Sequence, residues 1–224
     1  MNFNMEILKI QLDNDFEVQY MPGSDGGGFA HLPDFKLAMS LTGKEHYTNG
    51  VEWCAGFGVL GFDLLNRKVC DRMSFIDCHA PSIEWINNTI KHNHVEEKTA
   101  TYLTDTISLI PDDVKWDLLI ANPPHSFDAG SKKYLEDNTT EPQLSDVLRV
   151  TCDVDLLTHR EFFASIRKHL LPEADLFISE VGDFDRIEQL AIDAGLEVVA
   201  RHPADKLSID SHTNSIVFHF KEPS

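Results

Sequence analysis

Gly56-Phe57-Gly58-Val59-Leu60-Gly61 stands between a short strand, Gly50-Val51-Glu52-Trp53-Cys54-Ala55, and a helix that runs to about Asn66. A G-x-G-x-x-G turn in that setting lets the chain double back tightly and lets a ligand approach the backbone closely. It commits the chain to a strand–turn–helix unit of the kind that opens an α/β sheet. The spacing of glycines says little alone about the ligand. Glu52 says more, because a carboxylate just before the loop repels a dinucleotide pyrophosphate and attracts an ammonium group.

The next units repeat the pattern. Strand Met73–Ile76 ends in Asp77, an acid placed to take both hydroxyls of a ribose. Ser82 begins a helix with Ile83, Ile86 and Ile90 on one stripe. A strand over 100–103 ends at Asp105. Each acid alone reads as a strand-end or capping residue; three in series with a glycine loop point to a nucleoside site.

Leu118 to Ala121 is a short apolar run suited to a strand buried on both faces, and it stops at Asn122-Pro123-Pro124-His125. Each proline fixes its φ, lacks a backbone N–H and biases the residue before it away from helix. The result is a stiff extended rim, rich in carbonyl oxygens and poor in donors. Asn122 adds a side-chain oxygen. A planar –NH2 group, held by its two hydrogens, suits such a rim; a proline-rich strand exit that only turns the chain is the plainer alternative.

Outside these units the pattern is less regular. Residues 6–12 and 16–20 alternate like two strands around the turn Asp13-Asn14-Asp15, which predicts a hairpin. Pro22 to Gly28 is a glycine-rich linker, or a loop that lies over a ligand with Phe29 or His31 facing it. The expected organisation is an extension over 1–48 and a main domain over 49–224. Ser126 to about Leu157 is polar, acidic and weakly periodic, as expected of a lid or a disordered segment. A helix over Thr158–Leu171, a strand over Asp175–Ser179 and a helix over Asp185–Ala194, capped by Gly195, follow. The last two strands, Leu196–Arg201 and Ser215–Phe220, have no helix between them and must pair antiparallel.

The charge narrows the partners. With 37 acidic against 19 basic residues the chain carries a net charge of −18. Nucleic-acid affinity rests largely on Lys and Arg, and Lys132-Lys133 and Arg167-Lys168 are isolated, so nucleic acid is disfavoured for the isolated chain. No apolar run approaches the roughly 18 residues of a membrane span, nothing at the N-terminus marks export, and Cys54, Cys70, Cys78 and Cys152 form no C-x-x-C pair, so a reduced, cytoplasmic setting is expected. His92-Asn93-His94 lacks further ligands at useful spacing, so no metal is expected.

Taken together, Glu52, the glycine turn, Asp77, Asp105 and Asn122-Pro123-Pro124-His125 make the chain resemble the class I S-adenosylmethionine-dependent methyltransferases from about Gly50 to Phe220. The tetrapeptide looks like the [ND]-P-P-[YFW] motif of enzymes that methylate planar nitrogens. In layout the chain is most similar to the release-factor and ribosomal-protein glutamine methyltransferases, with Glu180-Val181-Gly182 matching their Glu-x-Gly strand end. The resemblance implies a Rossmann-like, seven-stranded α/β sheet with helices on both faces and a C-terminal antiparallel hairpin. It implies S-adenosyl-L-methionine as cofactor, held by Glu52, Gly56, Gly58, Gly61, Asp77, Asp105 and Asn122, with Asn122, Pro123, Pro124 and His125 at the reacting nitrogen. The expected acceptor is an amide or amine of a protein side chain or small molecule. An adenine or guanine of RNA or DNA is the alternative, and a cofactor-binding subunit without turnover a third. His125 stands where the family carries an aromatic ring. Its imidazole can stack on a planar acceptor or bond it through nitrogen, and stacking is the expected role.

Overall fold

Met73–Ile76, Leu118–Ala121 and Leu176–Ile178 are runs of consecutive, mostly apolar residues, the signature of strands covered on both faces. In the structure, a computed structural model that describes residues 8–20, 28–127, 152–203 and 215–224, they form the middle of one seven-stranded sheet. In chain order the elements are the hairpin β1 (Leu8–Gln11) and β2 (Glu17–Tyr20), helix α1 (Gly28–Ser40), β3 (Tyr47–Trp53), α2 (Val59–Asn66), β4 (Cys70–Asp77), α3 (Ala80–His92) and β5 (Thr99–Leu103). Then come β6 (Trp116–Ala121), β7 (His125–Phe127), β8 (Cys152–Val154), α4 (Leu157–Ile166), β9 (Leu170–Val181), α5 (Phe184–Asp193), β10 (Glu197–Pro203) and β11 (Ser215–Lys221).

The large sheet has the order β10-β11-β9-β6-β3-β4-β5. Every strand is parallel except β11, which inserts antiparallel between β9 and β10, so the expected final hairpin is present. From β3 the chain steps outward to β4 and β5, then crosses back to β6 on the other side of β3. That reversal opens a crevice beyond the carboxyl ends of β3 and β6, where ligands of open α/β sheets bind.

Strand periodicity divides the core between the two faces. Leu118 and Ile120 join one cluster, with Phe57, Leu60, Phe62, Phe75 and Ile86. Leu119 and Ala121 join the other, with Trp53, Phe162, Phe163, Ile166 and Ile187. The N-terminal hairpin packs into the first cluster through Leu12, Phe16 and Val18. Asn93, at the end of α3, fixes it there: its Oδ1 accepts from Glu17 N at 3.0 Å and its Nδ2 donates to Glu17 O at 2.8 Å. His92 pairs with the Glu17 carboxylate at 3.0 Å.

Three readings change. Residues 28–40 are a helix, and Phe29 and His31 lie on it; Pro33 inside it and the preceding glycines hid it. The helix expected over 158–171 ends at Ile166 and passes through a 3₁₀ turn at Arg167–His169. β9 then begins at Leu170, earlier than expected, with a register shift against β6. Pro172 cannot donate to a ladder and Glu173 takes a left-handed φ of 63°, so the strand is irregular there and reads as a loop in sequence. Lastly, the long polar segment is bounded by strand pairing: β7 and β8 run parallel, matching His125 with Cys152 and Ser126 with Asp153. Residues 21–27 and 128–151, where the glycine-rich loop and most of the polar segment fall, lie outside the described residues.

Candidate active site

The carboxyl ends of β5, β4, β3, β6 and β9 lie side by side and carry, in that order, Asp105, Asp77, the glycine turn, Asn122 and Glu180. At the turn, Ala55 N donates to Ile76 O at 3.0 Å and Gly58 N to Ala55 O at 2.7 Å, which ties the loop to β4. Gly56 and Gly58 adopt φ of 55° and 78°, left-handed values that tax any residue with a Cβ. Their surroundings differ. A Cβ on Gly56 would meet nothing within 4 Å, so this glycine faces open space. On Gly58 it would lie 2.9 Å from the Phe75 ring, and on Gly61 2.7 Å from Phe75 and 2.8 Å from the Glu52 carboxylate. The second and third glycines therefore admit α2 against β3 and β4.

Glu52 is placed otherwise than its charge suggested. It is 3% exposed, beneath the loop, where Oε2 accepts from Gly61 N at 2.7 Å. Burial pushes its carboxyl up to about 8 despite the bonds from Gly61 and Leu60, so at neutral pH it is mostly uncharged. It anchors the first turn of α2 and has little attraction for an ammonium group. Asp77 holds the loop from the other side: Oδ2 accepts from Gly56 N at 2.7 Å and Oδ1 from His79 N at 2.8 Å. Burial raises its pKa, and the backbone donors from His79 and Gly56 work against that rise. Asp105 is exposed just beyond β5, which is tied to β4 by Thr104 N donating to Asp77 O at 3.0 Å.

Across the reversal point, Asn122 and Pro124 are half-buried and Pro123 is buried. His125 turns inward. Its Nδ1 lies 3.6 Å from Glu180 Oε2 on β9, and its side chain is 26% exposed. Behind it is a buried cluster absent from the sequence reading. The His159 ring bonds Asp153 through Nδ1 at 2.6 Å and Glu180 through Nε2 at 2.5 Å. Asp153 also accepts from Thr158 N and His159 N, capping the start of α4. Burial opposes a charge on His159, but Glu180 and Asp153 outweigh it and lift its pKa to about 9. One signal was available: His159, Phe162, Phe163 and Ile166 form the buried stripe of α4. A histidine on such a stripe needs polar partners, but Asp153 and Glu180 come together with it only through folding.

His31 arrives from α1, with Nδ1 at 3.5 Å from Ser179 Oγ, the neighbour of Glu180, and 3.6 Å from Asp34. Among the described residues no group of three or more His, Cys, Asp or Glu side chains is arranged to hold a metal ion. No helix of these residues is long and apolar enough to cross a membrane.

The family model for the methyltransferase small domain matches residues 36–140, from α1 through the glycine turn, the three acids and Asn122-Pro123-Pro124-His125. That match spans a little under half of the chain. Solved structures agree with this domain in fold. A ribosomal protein L11 methylase from Lactobacillus delbrueckii subsp. bulgaricus is 13% identical with a TM-score of 0.56, over 86% of this chain and 79% of that one. The tRNA m1G37 methyltransferase of M. jannaschii is 16% identical with a TM-score of 0.59, over 99% of this chain but only 58% of that one. TYW2 of P. horikoshii, in complex with MeSAdo, is 12% identical with a TM-score of 0.60, over 96% and 70%. Among curated proteins none matches. The family model and these folds together support a methyltransferase reading with S-adenosyl-L-methionine as cofactor. The geometry fits this cofactor: Thr104, next to Asp105, is bonded to the Asp77 carbonyl on the adjacent strand end, and open space lies over Gly56.

Proposed function

We propose that this methyltransferase modifies a planar amide or amine nitrogen of a protein side chain or a small molecule. The observation that carries this reading is the Asn122-Pro123-Pro124 rim at the end of β6, across the reversal point from the glycine turn. Asp77 takes the ribose hydroxyls, Asp105 lies at the base end of the nucleoside, and Gly56 offers backbone at close approach. Glu52, Gly58 and Gly61 serve the same site from below by holding the loop in shape.

When bound, the cofactor supplies a methyl group already activated on a sulfonium, so the protein's part is mostly alignment. An amide or exocyclic amine nitrogen has its lone pair spread into the adjoining π-system. The Asn122 side chain and the Pro123 carbonyl accept its two hydrogens, which favours a more tetrahedral nitrogen with the lone pair available.

The acceptor class rests on charge. Nine of the fifteen described Lys and Arg side chains (Lys9, Lys36, Lys44, Arg67, Arg167, Lys168, Arg186, Arg201 and Lys221) are paired with carboxylates, and the net charge is −18. Such a surface offers little to phosphates. Four scattered cysteines with no C-x-x-C pair support a cytoplasmic setting. The tRNA methyltransferase among the structural neighbours keeps a second reading open, an adenine or guanine of RNA. Incubation with methyl-tritiated cofactor and separated protein, RNA and metabolite fractions distinguishes them. Label recovered as N-methyl groups in the protein or metabolite fraction is expected; label confined to RNA would overturn the acceptor class.

A further inference from the structure

Glu180 is wholly buried yet only half satisfied. One oxygen meets His159 at 2.5 Å, and the other, Oε2, has no hydrogen-bond partner. The atom facing that second oxygen is His125 Nδ1, itself buried and without a hydrogen-bond partner, at 3.6 Å. Two buried polar atoms, one able to donate and one able to accept, thus face each other just beyond bonding distance. Buried polar groups without partners are rare and mark sites of use, and catalytic bonds are often long until the substrate is in place.

The charges explain why Glu180 stays ready. Asp153 and Glu180 share His159, whose charged form the two carboxylates favour. The Glu180 oxygen not engaged by His159 is the one turned to His125. Other titratable groups around His125 are Cys152 and Asp153 on β8, and Asp183, which Ser126 Oγ bonds. His31 and Asp34 of α1 come up to the adjacent Ser179.

We propose that Glu180 holds His125 with its proton on Nδ1, so that the outer nitrogen, Nε2, takes the proton released by the acceptor nitrogen after methylation. This deepens the reading of the Asn-Pro-Pro rim and rests on it. One N–H bond of the methylated nitrogen breaks and an Nε2–H bond forms. The positive charge moves to an imidazolium facing Glu180, and the proton leaves through the exposed part of the ring. His125 touches the reacting group; Glu180, His159 and Asp153 are positioning residues, with His159 fixing one Glu180 oxygen so that the other points at His125. The motif's usual Tyr, Phe or Trp ring carries no base at neutral pH, and the imidazole adds one. In this proposal nitrogen chemistry takes the place of the expected stacking role.

The test is tautomer assignment by NMR on protein labelled with ¹⁵N-histidine, with His125→Asn identifying the signal. The expected neutral form has a protonated Nδ1 and a bare Nε2, and Glu180→Gln should shift the population toward the Nε2–H form. A bare Nδ1 in the unaltered protein would overturn the proposal even if Glu180→Gln failed to fold. His125→Phe keeps a stacking ring and removes the nitrogen. With whichever fraction accepts tritiated methyl, it should lose about 10²-fold or more in rate while S-adenosylhomocysteine still binds; transfer at the unaltered rate would also overturn the proposal. Label found only in RNA would refute the acceptor class and leave the tautomer result intact, so the two failures are separable.

Discussion

Asp77 and Asn122 sit on either side of the reversal point, and in the proposed function they divide the work of the site. Asp77 already accepts from Gly56 N and His79 N, yet a carboxylate has lone pairs for further donors. Asp77→Ala should weaken S-adenosylhomocysteine binding in calorimetry by about 10- to 100-fold, the worth of hydrogen bonds to a charged group. Tight NAD binding with none of S-adenosylhomocysteine would reverse the cofactor assignment. Asn122→Ala should behave oppositely. Loss of one oriented acceptor at the reacting nitrogen lowers kcat by about 10²–10³-fold, with cofactor affinity nearly unchanged. Equal losses in both quantities would mean that Asn122 shapes the cofactor pocket instead.

At the scale of elements, the glycine turn joins two kinds of constraint, and substitution separates them. Gly61→Ala forces a methyl group within 3 Å of the Phe75 ring and Glu52, where β4 and α2 press together. Overpacking of this kind costs about 1–3 kcal/mol and should appear as a lower melting temperature, whether or not cofactor is present. A melting temperature unchanged from the parent would show that the core gives way there. The turn was legible because glycine spacing is a local signal, as was the alternation of apolar strands and striped helices that set the sheet. Helix α1 was not, since Pro33 and the glycines before it contradict helix locally and only packing of Phe35, Ala38 and Met39 into the core overrides them. The start of β9 was lost to Pro172 and Glu173 for the same reason. Asp153, His159 and Glu180 were hidden differently: their meaning lies in a mutual contact between strand, helix and strand that no spacing encodes.

For the molecule as a whole, two buried groups make stability depend on pH in the same direction. His159 has its pKa raised to about 9, so its contribution is present below the ordinary histidine value and is lost as pH climbs through 9. The amount at stake is on the order of 3 kcal/mol. Glu52, raised to about 8, binds a proton in the folded chain that the unfolded chain gives up above about 4.5, so folding is penalised progressively up to pH 8. Denaturation midpoints should therefore fall steadily from about pH 5 to pH 9. Glu52→Gln keeps an acceptor for Gly61 N and should flatten the portion below pH 8; a profile identical to the parent would refute its raised pKa.

The parallel pairing of β7 with β8 has an evolutionary corollary. Phe127 closes β7 and Cys152 opens β8, two paired strands of which one carries His125 and the other Asp153. In general, lengthening a connection costs only about 0.6 kcal/mol more for each doubling of its length. Changes of length between these two strands are thus thermodynamically cheap and leave the pairing of His125 with Cys152 in register, so descendants of such a chain can diverge there while the carboxyl end of the sheet stays put.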